Sequence, residues 1–532
     1  MTTSYNAVHV LVTAVSLPAC CRRPQRYSSP AHCSTAPPSS YLLLAQVLRV
    51  NSLAGLSYVA WKCTTASASA AASSAPPQQD KLHSQWIPQR RVSSVHPTAP
   101  DANAALGRGP HDSKFEVDNP RVALWSATSG AMGRFTVAKQ RIRAGERAFQ
   151  AAAFAVVVRQ SLSPRRCHWC FASLRKKALQ CGDCEFARYC TRDCLAADAV
   201  LHDFQCQALR KLKHVPVGSY GGGRDVETVR LALAVLSMEK FVRNPQALTL
   251  LAVHRRHESS EEEETRAAVA FIVEMTGQVL DPKHVQTTLD RVRCNAHPLY
   301  LDGVTCVGTG VFPEAAMALN HSCLPNVVPS FDPRARALAF HAIAEIPRGG
   351  AVEYAYIDLL QTRKRRRTLL EQGFGFDCMC ERCTSETALL KREVDPAEAG
   401  EDEQETRVME QLMQLVNSKQ SDVKQRLAHL KKEYEAVFER GSEARFALYS
   451  AEMQLARAQG DWGHVVKAAG ILLEIWSRCG LPDSYYITET LHLQICLAAK
   501  QAGMAERANA SAKQVAHIRQ ICGYSHPEAP IG

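Results

Sequence analysis

The sequence predicts an α+β protein: a strand-rich region split by a cysteine block and a helical insert, followed by an all-helical C-terminal region. Three observations predict it. Short apolar runs punctuated by Gly and Pro lie at 117–165 and return at 301–358. A dense cysteine block, 167–206, sits between them and is followed by a helical pattern over 210–300. From about residue 400 to the end, Ala-rich amphipathic periods carry no strand alternation. At 532 residues the chain is too long for one core. Its 46% hydrophobic and 22% charged residues are those of an ordinary globular protein.

The first 115 residues read as a disordered or targeting tail. "TTASASAAASSAPPQQ" is Ala/Ser/Pro low complexity and cannot bury enough apolar surface to fold. "VHVLVTAVSL" resembles the apolar part of a signal peptide, but no Lys or Arg precedes it. The Arg- and Ser-rich, acid-poor composition also fits a mitochondrial transit peptide. Residues 1–100 hold eight Lys or Arg and one acid, so +7 of the net +11 lies there. The remainder is nearly balanced, which argues against nucleic acid as a substrate. No run of 18 apolar residues is present, so no membrane span is expected.

"RFTVAKQRIRAGERAFQAAAFAVVV", 134–158, reads as strand, turn at Gly145-Glu146, and strand, with "FAVVV" buried. The cysteine block follows. Cys167 and Cys170 form a CxxC, as do Cys181 and Cys184, while Cys190/Cys194 and His202/Cys206 are spaced four apart. A CxxC turn points two thiolates at one ion, and an i, i+4 pair presents both groups on one helix face. Eight ligands make two tetrahedral zinc sites, and in so short a segment the metals supply the folding energy. All four positions at each ion are filled, so neither is a catalytic metal. Of the twenty cysteines, eleven fall in such clusters, which reads as zinc in a reducing compartment and not as disulfides.

In the helical insert, the acidic run "ESSEEEET" reads as a solvated loop. Later, "MALNHSCLPNVVPSF" sets Asn320, His321 and Cys323 between apolar residues. A basic helix, "QTRKRRRTLLEQ", leads to "GFGFDCMCERC", where Cys378, Cys380 and Cys383 lack a fourth ligand. Cys323 can supply it, giving a third zinc. In the C-terminal region "QGDWGHVVKAAGILLEIWSRCG" recurs 43 residues later as "AGMAERANASAKQVAHIRQICG", a long helix-turn-helix repeat of tetratricopeptide (TPR) type.

Together "LNHSCLPN", "VGTGVFP", "RCNA", "EYAYIDLL", "FGFDCMCERC" and the finger spacing resemble the SET- and MYND-domain lysine methyltransferases over about 117–532. The resemblance implies a SET β-fold with a pseudoknot, its N-terminal part at 117–165 and its core at 301–358. It implies a MYND finger at 167–206, a helical SET insert at 210–300, a post-SET cluster at 359–384 and a TPR-like region at 385–532. It implies interleaved zinc pairing: Cys167, Cys170, Cys190 and Cys194 on one ion, and Cys181, Cys184, His202 and Cys206 on the other. It implies S-adenosylmethionine as cofactor, contacted by Asn295, Asn320, His321 and Phe376 and by the Gly133-Arg134-Phe135 loop through Arg134. Tyr356, 22 residues before Cys378, matches the catalytic Tyr. Tyr354, on the same strand face, is the next candidate. Phe374 matches the second aromatic of the lysine channel, where a missing hydroxyl favours products beyond monomethyl-lysine.

Three departures from the family, at four positions, stand out. Phe135 replaces the second Gly of G-x-G, Gly350-Ala351 replaces two Glu after Gly349, and Phe374 replaces a Tyr. "RKRRR", 363–367, reads as a charged surface helix in preference to a nuclear signal. The function implied is methyl transfer to lysines of histone or non-histone proteins by a monomer that is cytoplasmic or nuclear, with peptide ligands for the MYND finger. The alternative is a non-catalytic adaptor with a degenerate SET domain.

Overall fold

The computed structural model describes residues 121–524 apart from 127–133, 176–177, 215–225, 243–245, 250, 252–258, 303–304, 391–397, 418–421 and 441. The expected N-terminal tail and Gly133 therefore lie outside the described residues. The fold is mixed helix and sheet with a helical C-terminal region, as the sequence predicts.

Strands β1 (Val122–Ser126) and β2 (Arg134–Ala138) pair antiparallel. After the turn at Gly145-Glu146 come β3 (Arg147–Ala152) and β4 (Ala155–Val158), the latter buried at every residue. The cysteine block forms a small hairpin, β5 (Leu179–Gln180) with β6 (Arg188–Tyr189), and a long helix, α1 (Arg192–Leu212). Thr191 caps α1, accepting from the Cys194 amide, which fixes the first turn where a ligand thiol sits.

The insert contributes α2 (Val226–Val242), the short α3 (Gln246–Thr249), α4 (Ser259–Thr276) and α5 (Pro282–Asn295). The acidic run is not a loop: Ser259 to Thr265 form the first turns of α4. Carboxylates at a helix N-terminus meet the positive end of the helix dipole, so acid composition there favours helix.

Strands β7 (Ala296–Tyr300) and β8 (Cys306–Val311) join β4 in one antiparallel sheet, order β4-β8-β7. The "VGTG" glycines are needed for this contact. A Cβ on Gly308 would lie 2.1 Å from the Val157 carbonyl oxygen, and one on Gly310 would lie 2.6 Å from the Val156 side chain. After α6 (Pro313–Ala318) and β9 (Asn320–His321), strands β10 (Val327–Asp332) and β11 (Ala337–Ala342) complete the sheet β10-β11-β3. The apolar faces of these strands enclose Phe149, Phe312, Phe331, Leu338 and Phe340.

One pairing differs in direction. Strand β12 (Glu353–Tyr354) lies parallel to β9, with Glu353 opposite Asn320 and Tyr354 opposite His321. Asn326 clamps this crossing from the side. Its amide donates to the Ala351 carbonyl at 2.8 Å, its side-chain oxygen accepts from the Glu353 amide at 2.9 Å, and its own amide donates to the Glu353 carbonyl at 3.0 Å. Backbone bonds tie the Gly350-Ala351 region to β2: Ala138 donates to Gly350 and Val352 to Thr136, each at 2.9 Å.

Helices α7 (Arg363–Phe374), α8 (Glu381–Leu390), α9 (Glu398–Asn417), α10 (Val423–Glu433) and α11 (Glu435–Arg440) lead to α12 (Ser442–Ala458), α13 (Trp462–Arg478), α14 (Tyr486–Gln501) and α15 (Ala505–Cys522). Each of these last four packs on the next. The sequence repeat has a structural counterpart: Gly460 and Gly503 before α13 and α15, and Gly480 and Gly523 after them, all have left-handed φ between +65° and +73°, the conformation glycine adopts without strain. Helix α15 also contacts β11 and β10, and Trp476, Leu472 and Ile518 share one apolar core with Cys323, Cys378 and Cys383.

Candidate functional site

The predicted metal ligands converge as three groups of four: Cys167/Cys170/Cys190/Cys194, Cys181/Cys184/His202/Cys206 and Cys323/Cys378/Cys380/Cys383. Within each group the ligand atoms lie within 4.8 Å of one another. Four thiolates, or three with an imidazole, are the donor sets zinc takes in closed structural sites. His202 turns Nε2 toward Cys184 Sγ at 3.7 Å. Beside the finger sites, buried Asp198 accepts from the Tyr189 hydroxyl at 2.8 Å.

The third group has a different surrounding. Arg366, on α7, is 1% exposed. Its guanidinium lies 3.3 Å from Cys323 Sγ and 3.7 Å from Cys383 Sγ, and also donates to the Gln361 carbonyl and the Glu386 carboxylate, both at 2.6 Å. The basic run is thus structural but not wholly a surface feature. Arg363 donates to the Cys383 carbonyl, Arg365 faces Glu443 and Arg367 pairs with Asp377. Of the five, Lys364 is the exposed one.

Next to the third group lies a cavity of about 360 Å³. Of the residues expected at the cofactor and substrate, Asn295, Asn320, Tyr356, Phe374 and Phe376 line it. Asn295 ends α5 and donates to the Arg291 carbonyl. Asn320 donates to the Arg134 carbonyl at 2.8 Å, so Arg134 meets the site through its backbone while its side chain is exposed. His321 stands behind the wall. Its Nδ1 accepts from the Tyr356 amide at 3.0 Å, its Nε2 lies 3.2 Å from Cys323 Sγ, and its ring packs 5.4 Å from Tyr356 and 6.2 Å from Phe376. Burial lowers its pKa to about 4, so it is neutral.

Tyr356 sits among rings: Tyr354 at 4.9 Å and Phe374 at 5.0 Å between centroids. Its hydroxyl donates to the Leu319 carbonyl at 2.6 Å, and burial raises its phenol pKa, so it keeps its proton. Tyr300, Tyr485, Tyr486 and Tyr524 also line the cavity. Tyr300 and Tyr486 stack at 6.0 Å, joining β7 to α14. Two more lining residues carry polar atoms, His297 and Tyr354, hydrogen-bonded at 2.7 Å. The motifs did not single out His297 or the tyrosine wall. For His297 the available signal was strand alternation, which buries 297 with 299 on the inner face of β7.

The donor set suits a zwitterionic, aromatic-bearing cofactor: two side-chain amides and an exposed face of Phe376 converge on one cavity. Among the described residues no helix is long and apolar enough to cross a membrane.

No family model matches the chain. It is 30% identical over 270 residues to N-lysine methyltransferase SMYD2 of Bos taurus, covering 48% of this chain and 59% of that protein. It is 30% identical over 280 residues to histone-lysine N-methyltransferase Smyd1 of Mus musculus, covering 48% and 54%. It is 29% identical over 282 residues to N-lysine methyltransferase SMYD2-A of Xenopus laevis, covering 51% and 61%. The chain thus spans little more than half the length of the curated relatives it matches.

Proposed function

We propose that this chain, SMYD-like by its fold and by those relatives, transfers a methyl group from S-adenosylmethionine to lysine side chains of protein substrates, histone or non-histone. One observation carries the reading: a single cavity gathers Asn295, Asn320, Phe376, Tyr356 and Phe374 from four separated segments of chain. The relatives' names, as lysine methyltransferases, support it over the adaptor reading.

In this reading Asn295, Asn320 and Phe376 hold the cofactor, the amides at its amino-acid portion and the ring against its adenine. Bound there, S-adenosylmethionine would supply an activated methyl: the amine lone pair forms the new N–C bond, the S–C pair stays on sulfur, and the product ammonium gives a proton to water. The protein's work is alignment, bringing amine and methyl within roughly 3–3.5 Å and in line. Tyr356 has committed its proton to Leu319 and turns lone pairs to the amine. The rings of Phe374, Tyr354 and Tyr356 exclude water around it. The twelve Cys and His ligands hold three zinc ions with structural roles.

Tyr356→Phe tests the reading. It removes one hydroxyl and keeps the ring. Transfer should fall ~10²–10³-fold, while the thermal shift produced by S-adenosylhomocysteine stays near wild type. Wild-type transfer by Tyr356→Phe would remove the assignment and leave Tyr354 as the candidate.

A further inference from the structure

The cavity holds a second set of rings besides those around Tyr356. Tyr300 ends β7, and Tyr485 and Tyr486 stand at the start of α14. Tyr300 and Tyr486 stack at 6.0 Å and 16°, Tyr486 lies 4.8 Å from Tyr485, and Tyr485 stacks at 5.4 Å on Trp476. Trp476 is buried and donates through Nε1 to the Pro482 carbonyl at 2.8 Å, which fixes this ladder of rings from behind. Tyr300, Tyr485 and Tyr486 line the cavity, and among the described residues the lining contains no Asp, Glu, Lys or Arg. The charge that acts on the ladder is the Asp358 carboxylate, next in the chain to the lining residue Ile357. Burial and then Asp358 raise the Tyr485 and Tyr486 phenol pKa values, so both keep their protons. Among the described residues the Tyr300 and Tyr486 hydroxyls have no hydrogen-bond partner. An apolar side chain placed here would leave those hydroxyls unpaired in a half-buried place. An anion would be repelled by Asp358. A guanidinium is planar, has only donors, and lies favourably on aromatic faces. It can donate to the phenol oxygens while Asp358 compensates its charge.

We propose that the Tyr300–Tyr486–Tyr485 ladder, with Asp358, binds an arginine side chain of the substrate protein while Tyr356 addresses the target lysine. This rests on the methyltransferase reading above and deepens it by naming a substrate class: lysines with an arginine close by in the chain. Both sets of rings open on one cavity of about 360 Å³, so the two side chains come from one short segment. Lysine fits the ladder less well than arginine. Its ammonium is a compact, strongly hydrated point charge that cannot lie flat on a ring while reaching two hydroxyls. Trp476 does not line the cavity; it supports Tyr485 and is a positioning residue.

The test uses the full chain with S-adenosylmethionine carrying a labelled methyl group and a whole-cell lysate, with labelled lysines mapped by mass spectrometry. Labelled lysines should have arginine at a fixed offset several times more often than unlabelled ones. Peptides copied from the strongest sites then carry either that arginine or citrulline, which keeps the shape and removes the charge. The arginine peptide should have kcat/KM about tenfold above its citrulline twin. Tyr486→Leu and Asp358→Asn should each bring that ratio close to one. Tyr486→Phe, which keeps the ring and loses the hydroxyl, should keep part of it. Calorimetric binding of the two peptides in the presence of S-adenosylhomocysteine should follow the same order without turnover. Labelled lysines with no arginine preference, equal use of the two peptides, or a ratio unchanged in Tyr486→Leu overturns this proposal alone. A lysate in which no lysine is labelled overturns the methyltransferase reading with it.

Discussion

The finger and the third cysteine group use the same chemistry in opposite ways. In the finger, ligands 20 and 25 residues apart close two sites within one short segment, and none of its residues lines the cavity. The third group joins Cys323 to Cys383 across 60 residues of chain, and its neighbours are the cavity wall itself: His321 against Tyr356 on one side, Phe374 and Phe376 on the other. The finger's two groups close within its own segment, with Phe171 and Phe204 packed into the neighbouring cores, whereas the third group brings two distant segments together beside the cavity. Their surroundings differ too: beside the finger groups Tyr189 donates to Asp198, while at the third group the buried Arg366 guanidinium lies against the thiols themselves.

The widest separation between the two regions should come from deleting one ligand in each. Purified protein should hold close to three zinc ions per chain. Cys323→Ala should lower that to two and abolish the thermal shift with S-adenosylhomocysteine, because the 320s segment loses its tie to 378–383. Cys170→Ala should also lose zinc but keep most of that shift. Equal loss of cofactor response in both variants would show that the finger supports the cavity as much as the third group does.

How far each region was legible follows from the same contrast. Finger ligands obey local spacing, which a CxxC or an i, i+4 pair states outright. Cys323 was legible only as the thiol left over when three others needed a fourth. The depth of Arg366 was not legible, since "RKRRR" reads as a solvated face until α7 packs on the cysteine group. His297 and Tyr354 meet across 57 residues, and neither belongs to a motif that names the other. The acidic run failed for another reason: its charge was read as a loop, but carboxylates at a helix N-terminus favour helix, and Ser259 begins one.

Arg366→Met should sharpen the contrast with a smaller effect. It removes donors from two thiolates and leaves Glu386 without the buried guanidinium, and changes of this kind around a metal site cost ~10–100-fold in metal affinity. Competition with a chelator should release one zinc earlier and leave two at wild-type rates. Uniform release of all three would mean Arg366 acts on global stability only. One tie from the finger to the sheet region is Arg336, in the β10–β11 turn, which lies 4.0 Å over the Trp169 ring and donates to the Trp169 carbonyl at 2.7 Å. Arg336→Ala should cost about 2 kcal/mol in denaturant unfolding and leave the cofactor-induced shift unchanged.

The smallest effect concerns acid, and it separates the cavity from both metal regions. With zinc bound as proposed, lowering pH would protonate its thiolate and imidazole ligands and release it from all three sites, masking any contribution from the cavity in the wild type alone. A paired comparison removes that common loss. His297 is held neutral by burial, with its pKa lowered from 6.5 to about 4. For a base lowered on folding, the unfolded chain binds the proton more readily. The stabilisation is therefore complete above pH 6.5 and is lost as pH falls from 6.5 toward 4. Its full size is about 3 kcal/mol, at 1.4 kcal/mol per unit. Glutamine at 297 can keep the Tyr354 bond and does not titrate. His297→Gln should thus start below wild type in melting temperature at pH 7.5 and close the gap steadily between pH 6.5 and 4.5. Parallel melting curves across that window would mean His297 is reached by water and is not held neutral.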